Sequence, residues 1–250
     1  GNPLATAGHW VLRRALVQEL GGFDPDHAGA LELELILRLF KRDAGASLAH
    51  LPEPLLIAPP ADAAAGAEAR QRAVASHLQA RGYADAKVEA LPGGLHRIDY
   101  GHAQQAPISI VTVAQDNLPA LQRLVVGLLE TTAYPAYELL LVDNASDSPA
   151  VGAWLQAVAE LGNGRIRVFA LEQRVAQAEA RNLAATQAQG DYLLFLDADS
   201  AVVQGRWLHE LMNHAQRPEV GIVGAKGVSA DATITHAGLL PGLLPGAGHA

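Results

Sequence analysis

Two carboxylates two residues apart, Asp197 and Asp199, close the stretch DYLLFLDADS. They follow four apolar residues, Leu193 to Leu196, which read as a buried strand. If the chain is still extended there, side chains two apart point the same way. A dry core does not tolerate two adjacent carboxylates without a partner. At the C-terminal mouth of a parallel strand, however, they would stand where open α/β sheets bind ligands. A divalent cation carried on a diphosphate would compensate both charges. The triplet alone is a weak signal, most often solvated loop, so the weight falls on the elements around it.

From Pro107 those elements alternate strictly. Strands are predicted at Ile108 to Val113, Glu138 to Val142, Ile166 to Ala170, around Tyr192, and at Val220 to Ala225. Helices are predicted at Leu118 to Glu130, Val151 to Leu161, Ala176 to Ala188 and Trp207 to Ala215. Such alternation signals a parallel sheet with helices on both faces. Right-handed crossovers then place every strand's C-terminal end on one rim. Asp116, Asp143 and the Asp197/Asp199 pair all fall just after strands, so the acidic residues converge on that rim.

Before Pro107 the pattern is different. Val11 to Leu20 and Gly29 to Arg42 read as helices, the second on the spacing of Leu31, Leu35, Ile36, Leu39 and Phe40. Glu32 and Glu34 sit in its first turn, where the positive helix end favours them. Ser47 to His50 reads as a short strand. Residues 58 to 68, rich in Ala, Pro and Gly, mark a boundary. A helix from Ala67 to Arg81 and a hairpin around Pro92-Gly93-Gly94 follow.

Composition narrows the class. The 250 residues are half hydrophobic and carry a formal net charge of −8, which argues against a nucleic-acid partner. There is no cysteine, hence no disulfide and no thiolate ligand or nucleophile. No apolar run approaches the ~20 residues of a membrane span. The start, GNPLATAGHW, has neither the basic nor the apolar region of a signal peptide. His209 and His214, five apart, read as surface residues, and His236 as a packed one.

PISIVTVAQDN, LLETTAYPAYELLLVDNASDS, Ala180-Arg181-Asn182, GDYLLFLDADS and HAQRPEVGIVGAKGVSADATITHAG occur in one order over Pro107 to Ala250. Together they resemble the inverting family-2 glycosyltransferases of GT-A fold. The resemblance implies a nucleotide-diphosphate sugar donor, a Mn²⁺ or Mg²⁺ ion, and a saccharide or lipid-linked saccharide acceptor. By position Asp199 matches the carboxylate that holds the metal. Asp197 matches the one that reaches the ribose or sugar and shares the metal. Asp143 and Asn144 match the pair approaching the base, Gln115 and Asp116 also meet the nucleotide, and Arg181 lies near the phosphates. Asn144 departs from the family, where a second Asp is frequent.

The family's catalytic base comes from a later Glu-Asp pair that this chain does not reach. Its N-terminal stretch GGFDPDHAGALELELILRLF resembles that later half instead, with Leu31-Glu32 where Glu-Asp would stand. The expected organisation is therefore tandem, as in bacterial polysaccharide-assembly proteins. Residues 1–60 are the tail of a preceding domain, 61–106 a connector, and 107–250 a nucleotide-sugar-binding half domain. The fold class expected is α/β, a GT-A-like parallel donor half preceded by an α-rich segment and a small αββ unit. The expected location is cytoplasmic, with peripheral attachment at the inner membrane face as a variant. The incomplete sheet edge is expected either to self-associate or to lie under the N-terminal helices. A non-catalytic nucleotide-binding or scaffolding module is the competing reading. A sugar-nucleotide pyrophosphorylase is disfavoured, since no Gly-rich loop with a following Lys or Arg comes after the first strand.

Overall fold

The computed structural model describes residues 10–43, 57, 66–114, 116–162, 164–237, 239–244 and 246–249. The side chains of residue 43 and of residues 238–250 are not among those described. The chain divides into two compact units, Gly1–His102 and Ala103–Ala250. The predicted strand at Ser47 to His50 lies outside the described residues.

The first unit holds α1 (Arg14–Glu19), α2 (Leu31–Asp43), α3 (Ala67–Ala80) and the antiparallel hairpin β1 (Lys87–Leu91) and β2 (Leu95–Asp99). A small core of Ala30, Leu37, Ala69 and Ala73 joins α2 to α3. Glu34 is buried, and its carboxylate meets the Arg38 guanidinium one turn on at 2.6 Å. Arg38 in turn donates to the carbonyls of Leu20 and Gly22, so the pair pins the end of α1 to α2. Glu32 is exposed.

In the second unit β3 (Ile108–Ala114), β4 (Tyr137–Asp143), β5 (Ile166–Ala170) and β6 (Tyr192–Phe195) form one parallel sheet in the order β5-β4-β3-β6. All seven residues of β3 are buried, as expected of a parallel strand covered on both faces. α4 (Leu118–Thr131), α5 (Pro149–Leu161) and α7 (Trp207–Ala215) cover one face. α4 presents Leu121, Leu124, Val125 and Leu128, a 3.6-residue stripe, and starts where the Asn117 side chain caps the Ala120 amide at 3.2 Å. α6 (Gln177–Gln187) covers the other face through Ala180 and Ala184, whose small side chains let it approach Val111, Val113, Leu140 and Val142. β7 (Gly227–Val228) with β8 (Ile234–His236), and β9 (Leu239–Leu244) with β10 (Gly246–His249), form separate antiparallel pairs. No helix among the described residues is long and apolar enough to cross a membrane.

Three expectations are corrected. Val220 to Ala225 is not a strand. The run finds no ladder partner among the described residues, and Ile222 is exposed. Leu193 to Leu196 is a strand in part but not a buried one. β6 lies at the end of the sheet order, so Tyr192, Leu194 and Leu196 pack on the main core while Leu193 and Phe195 are exposed. His209 is half-buried, its ring edge-on to Tyr134 at 5.0 Å, rather than on the surface.

A polar network holds β6 in place from the N-terminal ends of the strands. Glu138 accepts from Ser109 Oγ at 2.6 Å, the Gln189 amide at 2.7 Å and Arg167 at 2.9 Å. Ser109 Oγ accepts in turn from the Gly190 amide at 2.8 Å. Gly190 runs so close to β3 that a Cβ there would stand 2.5 Å from the Ser109 nitrogen. Burial opposes the charge on Glu138, but these three donors outweigh it and hold its pKa below the ordinary 4.5. The network's stability contribution is therefore complete above the unfolded-state value and is lost as pH falls through the lower folded one. Glu138→Ala is expected to cost about 1–3 kcal/mol at neutral pH, from donors left unpaired, and to flatten the acid limb of the stability profile. Urea unfolding from pH 7 down to pH 3 checks both.

Candidate functional site

β3, β4 and β5 end level, with Ala114 beside Asp143 and Asp143 beside Ala170, while β6 ends earlier, Phe195 beside Val111. Asp143 is the last residue of β4, Asp116, Asn144, Asp197 and Asp199 follow strand ends, and Arg181 lies on α6, the helix before β6. Gln115 lies outside the described residues.

Asp116 binds three loops together. It accepts from Ser146 Oγ, from the amides of Asp147 and Ser148 at 3.0 and 3.3 Å, and from Arg174 at 2.8 Å. The bonds from Ser146 and Arg174 hold its pKa down to about 2. Arg174 also faces Asp147 at 3.2 Å, and this pair of carboxylates raises its own pKa. Asp143 accepts from the Ser146 amide at 2.9 Å, so its carboxylate shapes the turn that follows β4. In that turn Ala145 has φ of +48°, in the left-handed region that favours glycine. The Asn144 amide group clips the Val175 backbone from both sides, each bond 2.9 Å. Ala114, Asp116, Asn117, Asn144 and Arg174 line a pocket of about 440 Å³.

β6 stops at Phe195, and the chain does not stay extended through the carboxylate pair. The Ser200 amide bonds the Asp197 carbonyl at 3.0 Å, making residues 197 to 200 a β-turn. Asp is favoured at the first position of such a turn because its side chain can serve local amides. Both carboxylates are nevertheless exposed, with half-buried Ala198 between them. Asp197 accepts from Arg181 at 2.8 Å and from Gln177 at 3.4 Å. The Arg181 guanidinium also lies over the Phe195 ring, 5.6 Å from its centroid. Asp199 has no hydrogen bond or ion pair among the described residues. No group of three or more potential ligands gathers among the described residues. Two oxygen donors, one unengaged, fit a small hard cation that keeps its waters and arrives with phosphate. They do not make a permanent all-protein cage.

These residues come from one contiguous stretch, and known sequences match it. The description Glycosyl transferase family 2 fits residues 109–241. The chain belongs to that family. Among related proteins, O-antigen biosynthesis protein RfbC of Myxococcus xanthus is 35% identical over 248 residues, covering 96% of this chain and 19% of the relative. Uncharacterized protein y4gI of Sinorhizobium fredii is 31% identical over 254 residues, covering 96% of this chain and 27% of the relative. The chain thus spans less than a third of either relative's length. A solved mannosyltransferase, PcManGT from Pyrobaculum calidifontis in complex with GDP-Man and Mn²⁺, is similar at 19% identity, with a TM-score of 0.45, over 62% of this chain and 44% of its own.

Every rim residue described above falls inside the family 2 match, and Glu32 falls outside it, on α2 of the first unit. Arg174 was not singled out from the sequence. The available signal was its place as the one basic residue between β5 and α6, in a rim already rich in carboxylates. Arg174→Met is expected to release Asp116 from its depressed pKa of about 2 toward the ordinary 3.8. Carboxylate NMR titration of the two proteins measures the shift.

Proposed function

We propose that residues after Pro107 form the donor-binding half of a metal-dependent, inverting glycosyltransferase that takes a nucleotide-diphosphate sugar. The observation that carries this reading is the delivery of Asp197 and unengaged Asp199 to the same rim as the pocket beside Asp116 and Asn144. In this reading Asp199, with Asp197, holds Mn²⁺ or Mg²⁺ against the diphosphate. The cation, when bound, neutralises charge growing on the leaving group. Gln115 and Asp116 meet the nucleotide, Asp143 and Asn144 approach its base, and Arg181 serves the phosphates. Asp116 and Asn144 act by fixing the loops that wall the pocket, since their polar atoms are engaged with neighbouring loops.

The acceptor is a saccharide or lipid-linked saccharide in surface polysaccharide synthesis. The name of the Myxococcus xanthus relative, an O-antigen biosynthesis protein, supports that assignment. The enzyme works in the cytoplasm or at the inner face of the membrane. Glu32 occupies the base position of a preceding domain and does not serve the donor site after Pro107. A non-catalytic nucleotide-binding module would share the same donor site and differ only in turnover.

Asp199→Asn is expected to weaken nucleoside diphosphate binding in Mn²⁺ by roughly thirty-fold or more, as for loss of a charge partner worth about 2–5 kcal/mol. Calorimetry with UDP, dTDP and GDP, with and without chelator, tests this. Equal affinity under all conditions would remove the metal from the reading.

Sugar transfer by this chain alone is expected to be absent, because a base contributes about 10²–10⁴-fold and acceptor orientation about 7–11 kcal/mol. Glu32→Gln is expected to leave nucleotide affinity unchanged. Transfer assays across UDP-, dTDP- and GDP-sugars check the first statement. Multiple-turnover product that disappears in Asp199→Asn would refute it.

A further inference from the structure

The two carboxylates of the triplet are not equivalent. Asp197 is engaged by Arg181 at 2.8 Å and by Gln177 at 3.4 Å, whereas Asp199 has no partner among the described residues. Arg181 is seated on its other side by the Phe195 ring at 5.6 Å. Its helix, α6, is anchored to the sheet through Ala180 and Ala184, so its reach is fixed by the fold. Both bonds end on Oδ1, so a cation that approaches Asp197 shares the carboxylate's charge with a guanidinium 2.8 Å from it.

We propose that Arg181 is a counter-ion latch on Asp197, which keeps a bare cation off the site and passes to the diphosphate when cation and nucleotide arrive together. This inference rests on the donor-site reading above and adds a rule of assembly to it. One N–H of the guanidinium meets Asp197, while its flat fork offers up to five donors in all. Phosphate oxygens match that fork better than a single carboxylate oxygen does. With Arg181 on Asp197, a lone cation has one carboxylate whose charge is unshared, Asp199. With Arg181 on the diphosphate, both carboxylates serve the cation. Each ligand therefore raises the affinity of the other, and by linkage the two factors are equal.

The test separates the latch from the site. Mn²⁺ binding alone is followed by the electron paramagnetic resonance signal of the free ion. UDP, dTDP and GDP binding in saturating Mn²⁺ is followed by calorimetry. In Arg181→Met the affinity for Mn²⁺ alone is expected to rise about two- to fivefold, the range for releasing an exposed ion pair. Affinity for the nucleotide that binds wild type is expected to fall at least about tenfold, as a phosphate partner is lost. Arg206→Met, which removes the same charge from the start of α7, is expected to change neither. Arg181→Gln supplies a second variant if the methionine protein does not fold.

Unchanged or weaker Mn²⁺ binding in both Arg181 variants, with metal-dependent nucleotide binding intact in wild type and lost in Asp199→Asn, would overturn the latch and leave the donor site standing. Tighter Mn²⁺ binding in Arg206→Met as well would reduce the effect to net charge and also overturn it. Wild type that binds no nucleotide in Mn²⁺ would overturn both proposals.

Discussion

The site depends on one backbone pairing, the parallel ladder between β3 and β6. It aligns Val111 with Phe195 and so fixes where the chain leaves the sheet to form the Asp197 turn. That ladder requires β6 to approach from a loop lying almost against the β3 backbone. Gly190 allows the approach by having no side chain, and Ser109 and Glu138 reward it with hydrogen bonds. The carboxylates at one end of the sheet are thus located by a polar network at the other. Between them lies a strand half-buried on one side only, with little packing of its own to correct an error of register.

At the rim, charge is distributed between a fixed and an adaptable part. Asp116 is the fixed part. With donors from three residues after β4 and from Arg174 after β5, it converts three separate loops into one wall. The Asn144 clip on Val175 reinforces the same wall. Asp197 and Arg181 are the adaptable part, since among the described residues the Asp197 carboxylate accepts only from two side chains and from no backbone amide. The rim thus divides its charges between residues tied to backbone amides and residues tied only to side chains.

Much of this was legible in the sequence because parallel α/β units advertise themselves locally. Ile166–Ala170 and Trp207–Ala215 lie where the apolar pattern puts them, and the rim carboxylates follow from strand ends alone. What failed required knowledge of neighbours. The run at Val220 to Ala225 looks like a strand, but only a partner makes a ladder. Four apolar residues from Leu193 cannot reveal that one face of β6 would be left bare. The turn at Asp197 was readable in principle from Asp and Ser three apart, yet the preceding apolar run suggested continued extension. Glu34 and Arg38 have the one-turn spacing of an ion pair, but their anchoring of α1 depends on carbonyls far back in the chain. Arg174 joins Asp116 across 58 residues, a meeting that no local pattern encodes.

The order of the strands also makes their pairings unequal in cost. Ile108 pairs with Tyr137, 29 residues on, but with Tyr192 only after 84. Loop-closure entropy alone makes the second pairing about 1 kcal/mol harder to initiate from the open chain. β3, β4 and β5 can therefore collapse around the large apolar core first, with β6 docking onto a surface already formed. Asp197 and Asp199 acquire their positions only when β6 docks. A chain in which β6 had not docked would keep much of the core around β3, β4 and β5 and lose the placement of Asp197 and Asp199.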